Sequence, residues 1–240
     1  MRDLVIKGLI VVGAVCVLAQ LSGAATYTGS LSVADGGLTG TGSWGAGPSM
    51  ISWTVSNDSG PWTYTYKLEV PKKDISHFII EVSPDFTKSD FSNVSSSVDL
   101  SSTKVGEFKA GSSNPYLPDL FRGIKFDLKE DATSVEVSFQ SDCSPVWGDF
   151  YAKDGKEKVA NSKNSSGTKV SVAIWNTGFT SSDSDPTSPL ASGSVGYHLL
   201  VPDTKGGNGG FVIPEPLTLI ALGMSVIGAG AAARKSIRRA

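Results

Sequence analysis

Few side chains in this 240-residue sequence are equipped for chemistry. The histidines are His77, in ISHFIIEV, and His198, in GYHLLV, each flanked by apolar residues. Strand alternation puts His77 on the face of Ile75 and Ile79 and His198 on that of Leu200, which suits packed or hydrogen-bonded residues better than bases or ligands. Two histidines so far apart do not compose a zinc site, and no metal site is expected. Cys143 lies in Ser141-Asp142-Cys143-Ser144-Pro145 with no nucleophile signature around it and reads as a partly buried, inert thiol. No GxSxG turn occurs among the many serines, so no serine triad is expected. Glycosidase chemistry needs two carboxyl groups about 5–10 Å apart. Glu69, Glu81 and Glu136 are the strand carboxylates that would have to supply them, and solvated strand faces explain the same residues more simply. Asp183 with Asp185, or Asp149 with Asp154, offers hard oxygen ligands for calcium without the spacing of a known loop. Catalytic residues, cofactor and enzymatic activity are therefore not expected. The tryptophans offer a different chemistry, because an exposed indole stacks on a sugar ring. Trp44, within the Gly-rich segment 40–47, and Trp147 are the candidate glycan-contacting residues.

The elements that must position these residues read as β-strands. Trp62, Tyr64, Tyr66, Leu68 and Val70 alternate with Thr63, Thr65, Lys67 and Glu69, the pattern of a half-buried antiparallel strand. Strands are expected at 51–57, 62–70, 75–83, 105–109, 123–128, 133–140, 146–152, 169–177 and 194–201. No convincing helical period occurs between the two ends of the chain. The expected fold is all-β, a single β-sandwich over residues 26–201, jelly-roll-like or immunoglobulin-like. Asp154-Gly155 is expected to form a tight hairpin turn, and the Ser-rich stretches 92–102, 161–167 and 180–194 are expected to be exposed loops. Residues 202–211, containing GGNGG, read as a flexible linker.

Both ends speak of export. Arg2 and Lys7 precede an apolar run, and Ser22-Gly23-Ala24-Ala25 supplies the small residues of a signal-peptidase site, giving a signal peptide at 1–25. Cys16 follows Val15 rather than the small residue of a lipoprotein site. At the other end, Leu217 to Ala233 carries no charge. As a helix it would extend roughly 25 Å, enough for a thin bilayer. Arg234, Lys235, Arg238 and Arg239 come immediately after it and would hold the C-terminus on the cytoplasmic side. Pro214 and Pro216 keep the preceding segment extended. Six of the 21 Lys and Arg residues lie outside 26–216, as does Asp3 alone of the 23 acidic residues, leaving 15 against 22 and a charge near −7. That balance argues against nucleic acid as a partner. The same region holds only Cys143, so an intrachain disulfide is not available to it.

Pro214-Glu215-Pro216, the apolar span and the basic end together resemble the PEP-CTERM sorting signal of Gram-negative bacteria, over residues 212–240. The resemblance implies recognition by an exosortase, a membrane-embedded cysteine transpeptidase. Ile213 precedes the motif where the family usually has valine, and Ser236-Ile237 interrupt the basic cluster. The expected protein is an exported, non-enzymatic surface or matrix component. It would pass through the secretion machinery, be held transiently in the inner membrane by residues 217–233, and be delivered to the surface or an exopolysaccharide matrix. A secreted carbohydrate-binding module is the alternative reading and a glycoside hydrolase the third.

Overall fold

The computed structural model describes residues 24–203 except 59, 162–163 and 181–184. The expected signal peptide up to Gly23, the expected linker from residue 204 onward, and the sorting motif and basic tail lie outside the described residues, whereas Pro202, expected in the linker, is the last residue of a strand. Among the described residues no helix is long and apolar enough to cross a membrane.

The domain is an all-β sandwich of antiparallel sheets. Its strands are β1 (Thr26–Ser32), β2 (Leu38–Gly40), β3 (Met50–Ser56), β4 (Trp62–Glu69), β5 (His77–Glu81), β6 (Phe91–Ser96), β7 (Leu100–Phe108), β8 (Phe121–Leu128), β9 (Ser134–Ser141), β10 (Pro145–Gly148), β11 (Phe150–Asn161), β12 (Asn164–Asn176) and β13 (Leu199–Pro202). One sheet has the order β1-β3-β4-β9-β6 and the other β2-β12-β11-β5-β8-β7, while β10 and β13 form a separate two-stranded ribbon. The alternation of β4 is real: Tyr64, Tyr66 and Leu68 point into the core. Facing them from the other sheet are Phe78, Ile80, Ile124, Phe126, Phe150, Ala152, Val172 and Ile174. Phe126 and Phe139, from opposite sheets, have ring centroids 6.0 Å apart. Burying each such side chain contributes about 1.5–3 kcal/mol, so this interface is the main store of stability. The outer face of the second sheet is covered as well, by Leu117 and Phe179 against Ile79, Phe121 and Tyr151.

Two phenols inside the core are satisfied across elements. The Tyr64 hydroxyl donates to the Cys143 carbonyl at 2.7 Å and the Tyr66 hydroxyl to the Leu200 carbonyl at 2.8 Å. These bonds tie β4 to β13 and to the segment just before β10. Cys143 is buried, as expected of an inert thiol.

Several local expectations are corrected. Asp154-Gly155 is not a hairpin turn. β11 continues through it, and the register with β12 shifts between Lys153 and Lys156 so that two residues oppose Val172, a bulge. The Asp154 carboxylate accepts a hydrogen bond from Ser76 at 3.1 Å and pairs with Lys73 at 3.4 Å, which holds the extra residue against the neighbouring segment. The chain reverses instead between Asn161 and Asn164, inside the expected loop 161–167. The Ser-rich stretch 92–102 is mostly strand, β6 and the start of β7, because both lie at sheet edges where hydroxyl side chains face water. The expected strand 146–152 is two strands broken at Asp149, and that at 194–201 begins only at Leu199.

The Gly-rich segment 40–47 also differs from expectation. It folds into a one-turn helix, α1 (Gly42–Ala46), pressed onto β2 and β12. A Cβ on Gly45 would meet the Gly40 backbone, and one on Gly42, whose φ is +59°, would meet the Glu157 carboxylate. The glycines are there for close approach. The result buries Trp44 completely, with its indole N–H donating to the Lys72 carbonyl at 2.8 Å. Substituting Gly45→Ala should therefore cost about 1–3 kcal/mol through forced backbone displacement. Trp44→Ala should cost about 3–5 kcal/mol through the cavity it leaves. Chemical unfolding of the full chain measures both, and a neutral Gly45→Ala would contradict the close-approach account.

Candidate functional site

The break at Asp149 has a consequence one step along the chain. In the β10–β13 ribbon Gly148 pairs with Leu199, so continuing that antiparallel register by one residue sets Asp149 opposite His198. His198 is delivered there by a tight turn. Its N–H bonds to the Val195 carbonyl at 2.9 Å, and Gly196 and Tyr197 between them have φ of +58° and +61°, the positive pair of a type I′ turn. Gly178 makes room, because a Cβ there would lie 2.5 Å from the imidazole Cε1.

Asn176, fully buried at the end of β12, organises the surroundings. Its amide N–H groups reach Asp149 Oδ1 at 2.6 Å and the Tyr197 carbonyl at 2.9 Å, while its Oδ1 accepts the Phe150 N–H at 2.9 Å. From the adjacent strand the Glu81 carboxylate accepts the Asp149 N–H at 2.7 Å, and the Glu81 N–H returns a bond to the Asp149 carbonyl at 3.0 Å. Asp185 arrives from the segment that follows β12. His198 Nε2 lies 3.4 Å from Asp149 Oδ1 and 3.9 Å from Asp185 Oδ1. The potential ligand atoms of Asp149, Asp185 and His198 all lie within 4.8 Å of one another. His198 and Asp149 are buried and Asp185 is exposed, so the cluster opens to solvent on one side. Burial, followed by the charges of Asp185 and Asp149, holds the Glu81 carboxyl well above its ordinary range. One imidazole and converging carboxylates make a donor set suited to a cation.

The sequence-derived sites fare differently. Trp44 and Trp147 present no indole face to a sugar, as both are essentially fully buried and Trp147 donates its N–H to the Ser188 carbonyl at 3.0 Å. Large aromatic rings in a sandwich gain more from the core than from solvent, and each indole N–H found a carbonyl there. Glu69 and Glu136 lie in β4 and β9 of one sheet while Glu81 ends β5 of the other, so the three are not gathered together. Of the aspartate pairs that could have offered calcium ligands, Asp154 goes to Lys73 and Ser76, Asp183 is outside the described residues, and Asp149 and Asp185 meet each other instead. Pro214, Glu215, Pro216, Arg234, Lys235, Arg238 and Arg239 all lie outside the described residues. The pairing of Asp149 with His198 is what sequence reading missed. The one available signal was Gly148-Asp149 interrupting an otherwise apolar run, together with the glycines 178 and 196 that bracket the imidazole.

His77, by contrast, is the packed strand residue expected. Its Nε2 lies 3.1 Å from Asn114 Oδ1 and its ring 6.3 Å from that of Tyr151. A groove of about 350 Å³ elsewhere on the domain is lined by Asp85, Asp90, Phe91, Gln140 and Asp142. No protein-family model, curated protein or solved structure matches the chain.

The buried titratable groups set two features of the solution behaviour. Glu81 has a raised folded-state pKa, so relative to the unfolded chain its ionisation opposes folding as pH rises past the ordinary carboxyl range. Glu81→Gln should raise the thermal midpoint at neutral pH in chelator, and the gain should vanish in acid. A lowered midpoint at neutral pH would contradict it. His77 behaves oppositely. Burial, then the charges of Lys125 and Lys153, push its pKa down to about 3 from 6.5, against the pull of Asp127 and Asn114. The unfolded chain therefore binds the extra proton between those values, and the stability His77 contributes is full above 6.5 and lost as pH falls. The slope is at most about 1.4 kcal/mol per pH unit. Unfolding of His77→Gln across that interval should show a shallower acid limb than the parent chain.

Proposed function

We propose that this chain is an exported, non-enzymatic surface or matrix protein that an exosortase-like transpeptidase sorts and cleaves at its C-terminal signal. The observation that carries the reading is the order of the last residues: Pro214-Glu215-Pro216, the uncharged run Leu217 to Ala233, then Arg234, Lys235, Arg238 and Arg239. An extended proline-flanked motif beside a membrane helix is accessible to a processing enzyme, and the basic cluster resists translocation. The leader at residues 1–25 supports passage through the secretion machinery. The sandwich between them suits the destination. It is acidic, closed by a large aromatic core, and edged by the Ser-rich strands β6 and β7, whose hydroxyl groups keep those edges hydrated. Delivery to the cell surface or an exopolysaccharide matrix, after transient anchoring in the inner membrane, is the corresponding localisation. The carbohydrate-binding alternative loses its two named contacts to the core, at Trp44 and Trp147.

Mass spectrometry of the exported protein from its native host tests the reading. The expected mature chain lacks the residues beyond the Pro-Glu-Pro motif, and replacing Pro214, Glu215 and Pro216 together with alanine should leave the chain membrane-associated and ending at Ala240. An exported parent protein that still carried Ala240 would overturn the sorting assignment.

A further inference from the structure

We infer that Asp149, Asp185 and His198, backed by Glu81, bind one divalent transition cation of the zinc or manganese class, which fastens the segment between β12 and β13 to the sandwich.

Three features of the geometry lead there. First, the imidazole is oriented as a ligand. Its Nδ1 lies 3.3 Å from the Val195 carbonyl, which can accept only from an N–H, so a metal-binding ring would keep its proton there and turn Nε2 toward Asp149 and Asp185. Histidines that bind metals are held in this way, by a hydrogen bond from the other ring nitrogen. The ring is only 3% exposed and is locked by the turn at Gly196-Tyr197. Second, the spacings are those of a coordination shell. Zinc–nitrogen and zinc–oxygen bonds of about 2.0–2.2 Å place neighbouring ligand atoms roughly 3–3.6 Å apart. The observed 3.4 and 3.9 Å, with all three ligand atoms within 4.8 Å of one another, contract to that spacing if the exposed Asp185 side chain rotates inward. Third, the charge is arranged for a cation. The carboxylates of Asp149 and Asp185, from separate segments, converge on one imidazole, and Asn176 fixes the orientation of Asp149 Oδ1 as an outer partner of a ligand does.

The imidazole selects the metal class. Calcium and magnesium take oxygen ligands, whereas a mixed nitrogen and carboxylate set suits zinc, manganese and their neighbours. Three protein ligands leave a position for water on the side where Asp185 meets solvent. A structural motive is present too, since residues 26–216 contain a single cysteine and an exported domain so built has no disulfide with which to fasten a long surface segment. Metal held by residues so distant in the chain adds its binding free energy to folding.

The test uses the full chain, purified in detergent and stripped with chelator. Titration calorimetry with zinc and with manganese should show saturable binding of one ion per chain. Zinc should raise the thermal midpoint reversibly, and cobalt should develop a visible absorption band of a bound complex. Asp185→Asn changes an exposed residue and should leave the metal-free fold intact while weakening zinc roughly tenfold or more; His198→Gln should abolish the cobalt band. Absence of saturable zinc and manganese binding would overturn the inference, leaving an imidazole–carboxylate ion pair. So would binding that both variants retain, which places the ion elsewhere, or binding of calcium alone. None of these readouts depends on how the tail is processed.

Discussion

Two phenol groups in the middle of the sandwich set the terms for the rest of the domain. Tyr64 and Tyr66 are completely buried, stacked at 6.5 Å on one face of β4, and a ring placed there gains its hydrophobic free energy only if the hydroxyl finds an acceptor. The acceptors are main-chain carbonyls of Cys143 and Leu200, just before β10 and within β13. Burial holds both hydroxyls well above the ordinary tyrosine range, so they remain donors at any pH the protein meets. The two-stranded ribbon is thus suspended from the opposite sheet by side chains and not by a ladder. Asp149 leaves one end of the ribbon and His198 enters at the same end, so the strand pairing of the ribbon sets the Asp149–His198 contact.

The features that can be read from the residues and those that cannot divide along a physical line. Alternation reports burial on one face, so β3, β4, β8, β9 and the part of β12 from Lys169 onward are legible from apolar spacing, while 164–168 fall in an expected loop. Edge strands lack that signature. Phe91–Ser96 and Leu100–Phe108 are serine-rich because one side of each meets water, and composition alone gives them the look of loops. Local turn chemistry misleads at Asp154-Gly155 because a bulge and a hairpin ask for similar residues, and the choice between them is made by Ser76 and Lys73, far away in sequence. Trp44 misleads for a related reason. Glycines around an aromatic residue suggest an open loop, whereas here they remove the Cβ atoms that would keep a helix turn off the sheet.

The candidate site is illegible for a third reason. No two of Glu81, Asp149, Asp185 and His198 lie within a motif of one another; register brings them together. Asp149 and Asp185 each have an acidic neighbour in sequence that suggests a pair, and each is matched in the fold with something else. The pairing of Gly148 with Leu199 is the fact that dictates the Asp149–His198 contact, and it is a property of strand pairing that periodicity does not encode. The proposed sorting signal is the opposite case, local and linear, and its reading rests on the order of its residues alone.

The last described residue, Asp203, accepts a bond from the Ser83 hydroxyl and donates its N–H to the Ser144 carbonyl at 2.9 Å. In a chain tethered by its C-terminal end, tension would enter the domain at this point. It would load those two bonds first, then the four rungs of β10 and β13, of which the outermost joins Pro145 to Pro202. Proline lacks the N–H that a ladder needs, so the terminal rung is weak and the clamp at Asp203 takes the strain. In a chain so tethered, that seam would give way before the long pairing of β11 with β12.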